Sequence, residues 1–249
     1  MKKLQKTGFG RENKNIINLS PIQMKKPIIK NILSYFSEIL LESTFSEYNE
    51  ILEVYLSKGR YQLCSAGAIY SFEDKYINFY ETFRALNWKK LEIEKVLLMG
   101  LGLASIPQML EKKFRKNFEY HAVEIDSEII YLADKYILSD LKSPISIYEM
   151  DAEIFVEISE EKFDMIIIDI FDNNTVPEKF ESPDFLEQTI DLLSEGGILL
   201  YNRLNQDNKT YNETKLYFDE VFSKIFPSSK KLFIKNNIIL SNRSDIFVE

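Results

Sequence analysis

The sequence predicts an α/β fold: a doubly wound, mostly parallel sheet with an antiparallel hairpin at its C-terminal edge, preceded by a small antiparallel β-domain. Three observations predict it. From Leu91 onward, short apolar runs alternate with segments of helical periodicity. Before residue 73, apolar and polar residues alternate in short runs broken by "SKG" and "SAG", the texture of antiparallel hairpins. Near the end, "KKLFIKNNIILS" carries two strand-like runs around Asn236 and Asn237, a hairpin signal.

Taken in order, the basic start with Lys2, Lys3, Lys6 and Arg11 reads as a solvated tail over residues 1–30. Residues 31–73 are expected to form the small β-domain, with Ile39 to Ser71 supplying its strands. "EDKYINFYETFRAL" sets Tyr76, Phe79, Tyr80 and Phe83 at helical spacing, so residues 74–90 read as a linking helix whose aromatics enter the core. Residues 91–249 read as a Rossmann-like nucleoside-binding domain. Its strands are "KVLLMG", "FEYHAVEI", "ISIYEM", "FDMIIIDI" and "GGILLYN", short apolar runs of the kind that lie inside a parallel sheet covered on both faces. Between them, "IPQMLEKKF", "SEIIYLADKYI", "AEIFVEI" and "SPDFLEQTIDLLSEGG" carry helical periodicity. The last is expected to be capped by Ser182, with Pro183 in the first helical position, Asp184 in the first turn and Gly196 at its end. Repeated βαβ units with right-handed crossovers close the pattern into an open sheet.

Composition bounds the function. The 249 residues, 45% hydrophobic, can bury a full core. A net charge of −8 argues against nucleic acid as a partner, since such binding needs clustered Lys and Arg. No apolar run approaches the length needed to span a bilayer and no apolar signal core follows the basic start, so a cytoplasmic protein without a membrane partner is expected. A single cysteine, Cys64, and a single histidine, His121, leave no cysteine- or histidine-based metal site. No metal is expected.

In such a sheet the ligand sits at the carboxyl ends of the strands, near the point where strand order reverses. Gly100 and Gly102 end the first strand, where the backbone can approach a ligand and the next helix presents its amides. Glu124 ends the second strand, placed to accept both hydroxyls of a ribose. Asp151 follows the third, where its carboxylate can accept from an adenine amino group while the Ala152 amide donates to a ring nitrogen. Asp169 and Asp172 follow the fourth. Plainer roles stand beside these: Asp126 and Asp151 as helix caps, Asp172 as a turn residue, the glycines as turn geometry. A dinucleotide reading lacks its third glycine, replaced by Ser105, and accounts for neither Asp151 nor Asp169. With His121 inside a strand, there is no Ser-His-Asp triad.

These segments, in this order and spacing over about residues 45 to 205, resemble the spermidine synthase-like branch of the class I S-adenosylmethionine-dependent transferases. Val176, Pro177 and Phe185 carry the more branch-specific part. The resemblance implies a sulfonium donor, S-adenosylmethionine or its decarboxylated form, with Glu124 on the ribose, Asp151 near the adenine and Asp169 facing the reacting centre. It also implies a small-molecule acceptor and an assembly of dimers or tetramers, so a homodimer is expected. An amine must lose its proton to attack, and Asp169 at the strand end is the expected base or the group orienting the nucleophile, with Asp172 holding the amine.

The chain departs from that pattern. Laid without a gap on the family's acceptor segment, it has Tyr70 for a glutamine, Lys75 and Tyr76 for an Asp-Glu pair and Phe79 for a tyrosine, while Glu81 survives. Tyr70, Phe79 and Glu81 are therefore the expected pocket residues. In the glycine loop Leu103 replaces an aspartate, which would remove an acid from the cofactor's amino-acid end and suit intact S-adenosylmethionine at least as well. Three functions follow as expectations: aminopropyl transfer as in polyamine biosynthesis, methyl transfer to a small molecule, or nucleoside binding without catalysis.

Overall fold

A computed structural model describes residues 26–172 and 175–248. Most of the expected basic tail, with Lys2, Lys3, Lys6 and Arg11, lies outside the described residues. A short helix, α1 (Ile28–Leu33), crosses the expected boundary at residue 30. The small sheet is an antiparallel meander in the order β1 (Ile39–Thr44), β2 (Leu52–Ser57), β3 (Arg60–Ser65), β4 (Ala68–Ser71). Its turns fall on Lys58 and Gly59 and on Ala66 and Gly67, all at positive φ, as tight hairpins require. Helix α2 (Ile77–Ala85) follows and buries Phe79 and Phe83.

The large sheet has seven strands in the order β10, β11, β9, β8, β5, β6, β7. Strands β5 (Lys95–Met99), β6 (Glu119–Glu124), β7 (Ile145–Glu149), β8 (Phe163–Ile168) and β9 (Leu193–Leu204) run parallel. The hairpin of β10 (Lys230–Ile234) and β11 (Asn237–Ser241) adds the antiparallel edge, with its turn on Lys235 and Asn236. Strand order reverses at β5, with β6 on one side and β8 on the other, so β5 and β8 flank the switch point. Residues alternate between two cores: Val96 and Leu98 face one, Leu97 and Met99 the other. The small sheet joins the first core through Leu52, Val54 and Leu63.

Helices α3 (Ser105–Met109), α4 (Ser127–Tyr136), α5 (Ala152–Ile158) and α6 (Pro183–Asp191) fill the crossovers. Helix α6 starts as expected, with Ser182 Oγ accepting from the Phe185 amide. It ends five residues before Gly196, however, and β9 has already begun at Leu193. Gly196, at φ +75°, lies inside the strand near the irregularity in its pairing with β8. The sequence reading missed α7 (Asn208–Tyr217), capped by Asp207 and Thr210. Among the described residues no helix is long and apolar enough to cross a membrane.

Candidate active site

A cleft of about 980 Å³ opens over the carboxyl ends of β5, β6, β7 and β8. Gly100 and Gly102 line it. Both have positive φ, and a Cβ on Gly100 would collide with the carbonyl oxygen of Asp169, so the glycine lets the β5 loop pass against the end of β8. A Cβ on Gly102 would stand 3.1 Å from Ser71 Cβ. There the small sheet is fastened to the loop: Ser71 and Ser105 hydroxyls are 2.5 Å apart, Ser71 Oγ accepts from the Leu103 amide, and Ser105 Oγ accepts from the Phe72 amide. Ala104 is held in the left-handed region at φ 53°.

Glu124 ends β6 with its side chain buried in the cleft wall. One oxygen accepts from the Leu101 amide at 3.0 Å and the other from the Asp126 amide at 3.1 Å. Each oxygen keeps a lone pair for a further donor. Burial raises this carboxyl while the two amides pull it back. Asp126 caps α4 through the Glu128 amide and also accepts from Ser46 and Asn49 of the loop between β1 and β2.

Asp151 caps α5 through the Glu153 amide and holds an ion pair with Lys179. It lines the cleft beside Ala152, the first residue of α5. Asp172 lines the cleft farther along, and its backbone and that of Thr175 bond reciprocally.

Asp169 follows β8 directly and lines the cleft. Asn202 Nδ2 donates to its Oδ1 at 2.8 Å and the Tyr76 hydroxyl donates to the same atom at 3.3 Å. Asn202 is itself oriented, since its oxygen accepts from Asn237 Nδ2 at 2.9 Å. Asp169 is half-buried. Burial pushes its carboxyl up to about 6, opposed by the bonds from Asn202 and Tyr76 and reinforced by the charge of Glu124.

The cleft brings together Gly100, Gly102, Glu124, Asp151, Ala152, Asp169, Asp172 and Tyr70. It excludes two expected pocket residues. Phe79 is fully buried between Tyr76 and Phe83, and Glu81 pairs with Arg84 at a separate surface depression. Tyr76 and Asn78 take the cleft wall instead. Leu103 also turns away: its side chain is fully buried in the first core and does not line the cleft. Asn202 and Asn237 escaped the sequence reading, although an asparagine inside the buried run "GGILLYN" is itself a signal that a polar partner waits there. His121 lies in β6, bonded to Tyr148 and Glu119 outside the cleft. No group of three His, Cys, Asp or Glu side chains among the described residues could hold a metal ion.

The sequence profile of the spermine/spermidine synthase domain matches residues 92–236. A polyamine aminopropyltransferase of Vibrio vulnificus (strain CMCP6) is 26% identical over 151 residues, covering 59% of this chain and 50% of that protein. The chain thus spans about half the length of that relative. Among solved structures, a spermidine synthase in complex with the transition state analogue AdoDATO superposes with a TM-score of 0.64 at 17% identity, covering 82% of this chain and 72% of that one. A probable spermidine synthase from Corynebacterium glutamicum ATCC 13032 gives 0.61 at 18% identity, covering 83% and 79%. These likenesses agree with the observed α/β fold and its separate antiparallel sheet.

Proposed function

The chain belongs to the spermine/spermidine synthase domain family, and from that premise we propose that it is a transferase moving an aminopropyl group from decarboxylated S-adenosylmethionine to a small amine. The Asp169 site carries the reading: a carboxylate with a pKa near 6, fixed by Asn202 and Tyr76, faces the cleft that also holds Glu124 and Asp151. The residues fit the nucleoside. Glu124 would accept from the ribose hydroxyls and Asp151 from the adenine amino group beside Ala152, with Gly100 and Gly102 lining the same cleft.

When bound, the sulfonium supplies an electrophilic carbon from which a neutral thioether departs readily. The chain's own part is to position and to move one proton. An amine arrives as an ammonium and must lose its proton before it can attack. Asp169, ionised above about pH 6, accepts that proton. The freed lone pair forms the new N–C bond in line with the breaking C–S bond, whose electrons pass to sulfur. Asp172 holds the incoming amine. Positive charge moves from sulfur to nitrogen as the N–C bond forms, while Asp169, having taken the amine proton, stays neutral until it releases that proton.

The methyl-transfer reading drew support from Leu103, and that side chain does not reach the cleft. Asp169→Asn tests the assignment. Retained binding of methylthioadenosine with turnover lowered by at least about a thousandfold supports it, and unchanged turnover removes Asp169 from the chemistry.

A further inference from the structure

The two oxygens of Asp169 are not equivalent. Asn202 Nδ2 donates to Oδ1 at 2.8 Å and the Tyr76 hydroxyl donates to the same atom at 3.3 Å. Two donors occupy both lone pairs of that oxygen. Among the described residues none donates to Oδ2. Of the charged groups lining the cleft, Glu124 alone acts on this carboxyl, and it is an acid. Oδ2 therefore has neither a donor nor a cation from the described residues.

Tyr76 is held firmly where its hydroxyl makes this bond. Its backbone ends the tight turn of Glu73–Lys75 and starts α2. The small sheet and the segment before α1 fix that turn, since Glu73 accepts from the Tyr61 amide at 2.7 Å and from Lys26 at 2.6 Å. The ring is buried against Phe79, with centroids 6.0 Å apart. Burial, reinforced by the charge of Asp169, holds the hydroxyl well above its ordinary range against the pull of Asn78 and Asn202, so it stays protonated and remains a donor.

A carboxylate held by one bond can turn about its last torsion and present either oxygen. Two donors on one oxygen remove that freedom, and an incoming ammonium meets one atom along one line of approach. We propose that Tyr76 is a positioning residue of the reaction: with Asn202 it saturates Asp169 Oδ1 and so makes Oδ2 the single atom that takes the proton from the acceptor amine. The proposal rests on the aminopropyl-transfer reading and adds to it the acting atom and the residue that selects it. The N–H bond breaks with its electron pair left on nitrogen, the O–H bond forms at Oδ2, and the lone pair then attacks carbon as above. Tyr76 keeps its own proton throughout.

Tyr76→Phe leaves the ring against Phe79 and removes only the hydroxyl, while 3-fluorotyrosine at position 76 makes that hydroxyl a stronger donor. Two measurements are made on the full chain of each. Carbon-detected NMR of protein labelled at the aspartate carboxyl carbons, with the Asp169 signal assigned from Asp169→Asn, titrates the acid directly. The expected order is a titration near 6 in the parent, higher by about 0.5–1 pH unit in Tyr76→Phe and lower in the fluorinated protein. Steady-state kinetics with decarboxylated S-adenosylmethionine and an amine are run at pH 8, where the acid is ionised in all three. There kcat should fall about tenfold in Tyr76→Phe, with the amine KM changed by less than about twofold. An unmoved titration overturns the proposal, as does a raised amine KM with kcat unchanged, which makes Tyr76 a binding contact alone. If Tyr76→Phe fails to fold, the fluorinated protein decides: its acid must titrate below that of the parent, and an equal value overturns the proposal. Absence of product from the parent with every amine is a separate outcome that sinks the transferase reading, while the titration order still reads the hold of Tyr76 on Asp169.

Discussion

The side-chain amide of Asn202 is clamped at both ends: its oxygen accepts from Asn237 at 2.9 Å and its nitrogen donates to Asp169 at 2.8 Å. The antiparallel edge hairpin is thereby linked through β9 to an acid at the end of β8. The bond from Asn202 favours the ionised carboxylate. Replacing Asn202 with leucine removes it, so the Asp169 pKa rises above about 6. The acid limb of kcat/KM should move upward by about one to two pH units, the size of a lost charge-assisted hydrogen bond. A pH–rate profile of the free enzyme checks this, and Asn237→Leu should give a smaller shift in the same direction.

Asp169 also makes stability depend on pH. Its folded pKa, near 6, lies above the ordinary 3.8, so between these values the folded protein binds a proton that the unfolded chain releases. Stability therefore falls as pH rises from about 4 to about 6 and stays lower above that. Asp169→Asn removes the effect. The variant should be more stable than the parent at pH 8 by about 1–3 kcal/mol and no more stable at pH 4, measured by urea unfolding at both values.

Gly100 has no room for a side chain. Its φ of +93° and the Asp169 carbonyl in the path of a Cβ make Gly100→Ala doubly unfavourable. The expected loss is about 2–4 kcal/mol. Gly67, also at positive φ but with open space around it, should cost only about 1 kcal/mol as alanine. Chemical denaturation of the pair separates collision from backbone strain.

Ser71 and Ser105 couple the small sheet to the glycine loop through four groups: two hydroxyls and the Leu103 and Phe72 amides. Either alanine variant strands a backbone donor, at about 1–3 kcal/mol. A double-mutant cycle should show a coupling of about 1 kcal/mol or more, together with weaker nucleoside binding in the Ser71→Ala variant.

Much of this arrangement is written in short-range patterns. The buried runs of β5 to β8 are short, apolar and punctuated, and the rule that ligands gather at strand ends then picks out Glu124, Asp151 and Asp169 without further help. Where the reading failed, local backbone geometry had changed the phase. Glu73 at φ +38° starts a single tight turn that ends at Tyr76. The phase of α2 therefore points Tyr76 and Asn78 to the cleft and Phe79 to the core, not the reverse. Leu103 sits between Gly102 at φ +51° and Ala104 at φ +53°, a left-handed path that carries its side chain inward. Helix α7 escaped because it is mostly polar and exposed, burying only Thr214 and Tyr217, so no apolar stripe marked it. The Asn202–Asn237 pair joins residues on two strands that are neighbours only in the folded sheet, a contact that periodicity along one segment does not reveal.

The central claim is that Asp169 deprotonates an amine that then takes an aminopropyl group. Mass spectrometry of the nucleoside product tests it most directly, with wild type and Asp169→Asn each incubated with decarboxylated S-adenosylmethionine and an amine panel at pH 8. The account predicts amine-dependent methylthioadenosine from the wild type and at least about a thousandfold less from the variant. Methylthioadenosine formed equally by both proteins, or S-adenosylhomocysteine formed from intact S-adenosylmethionine in its place, would contradict it.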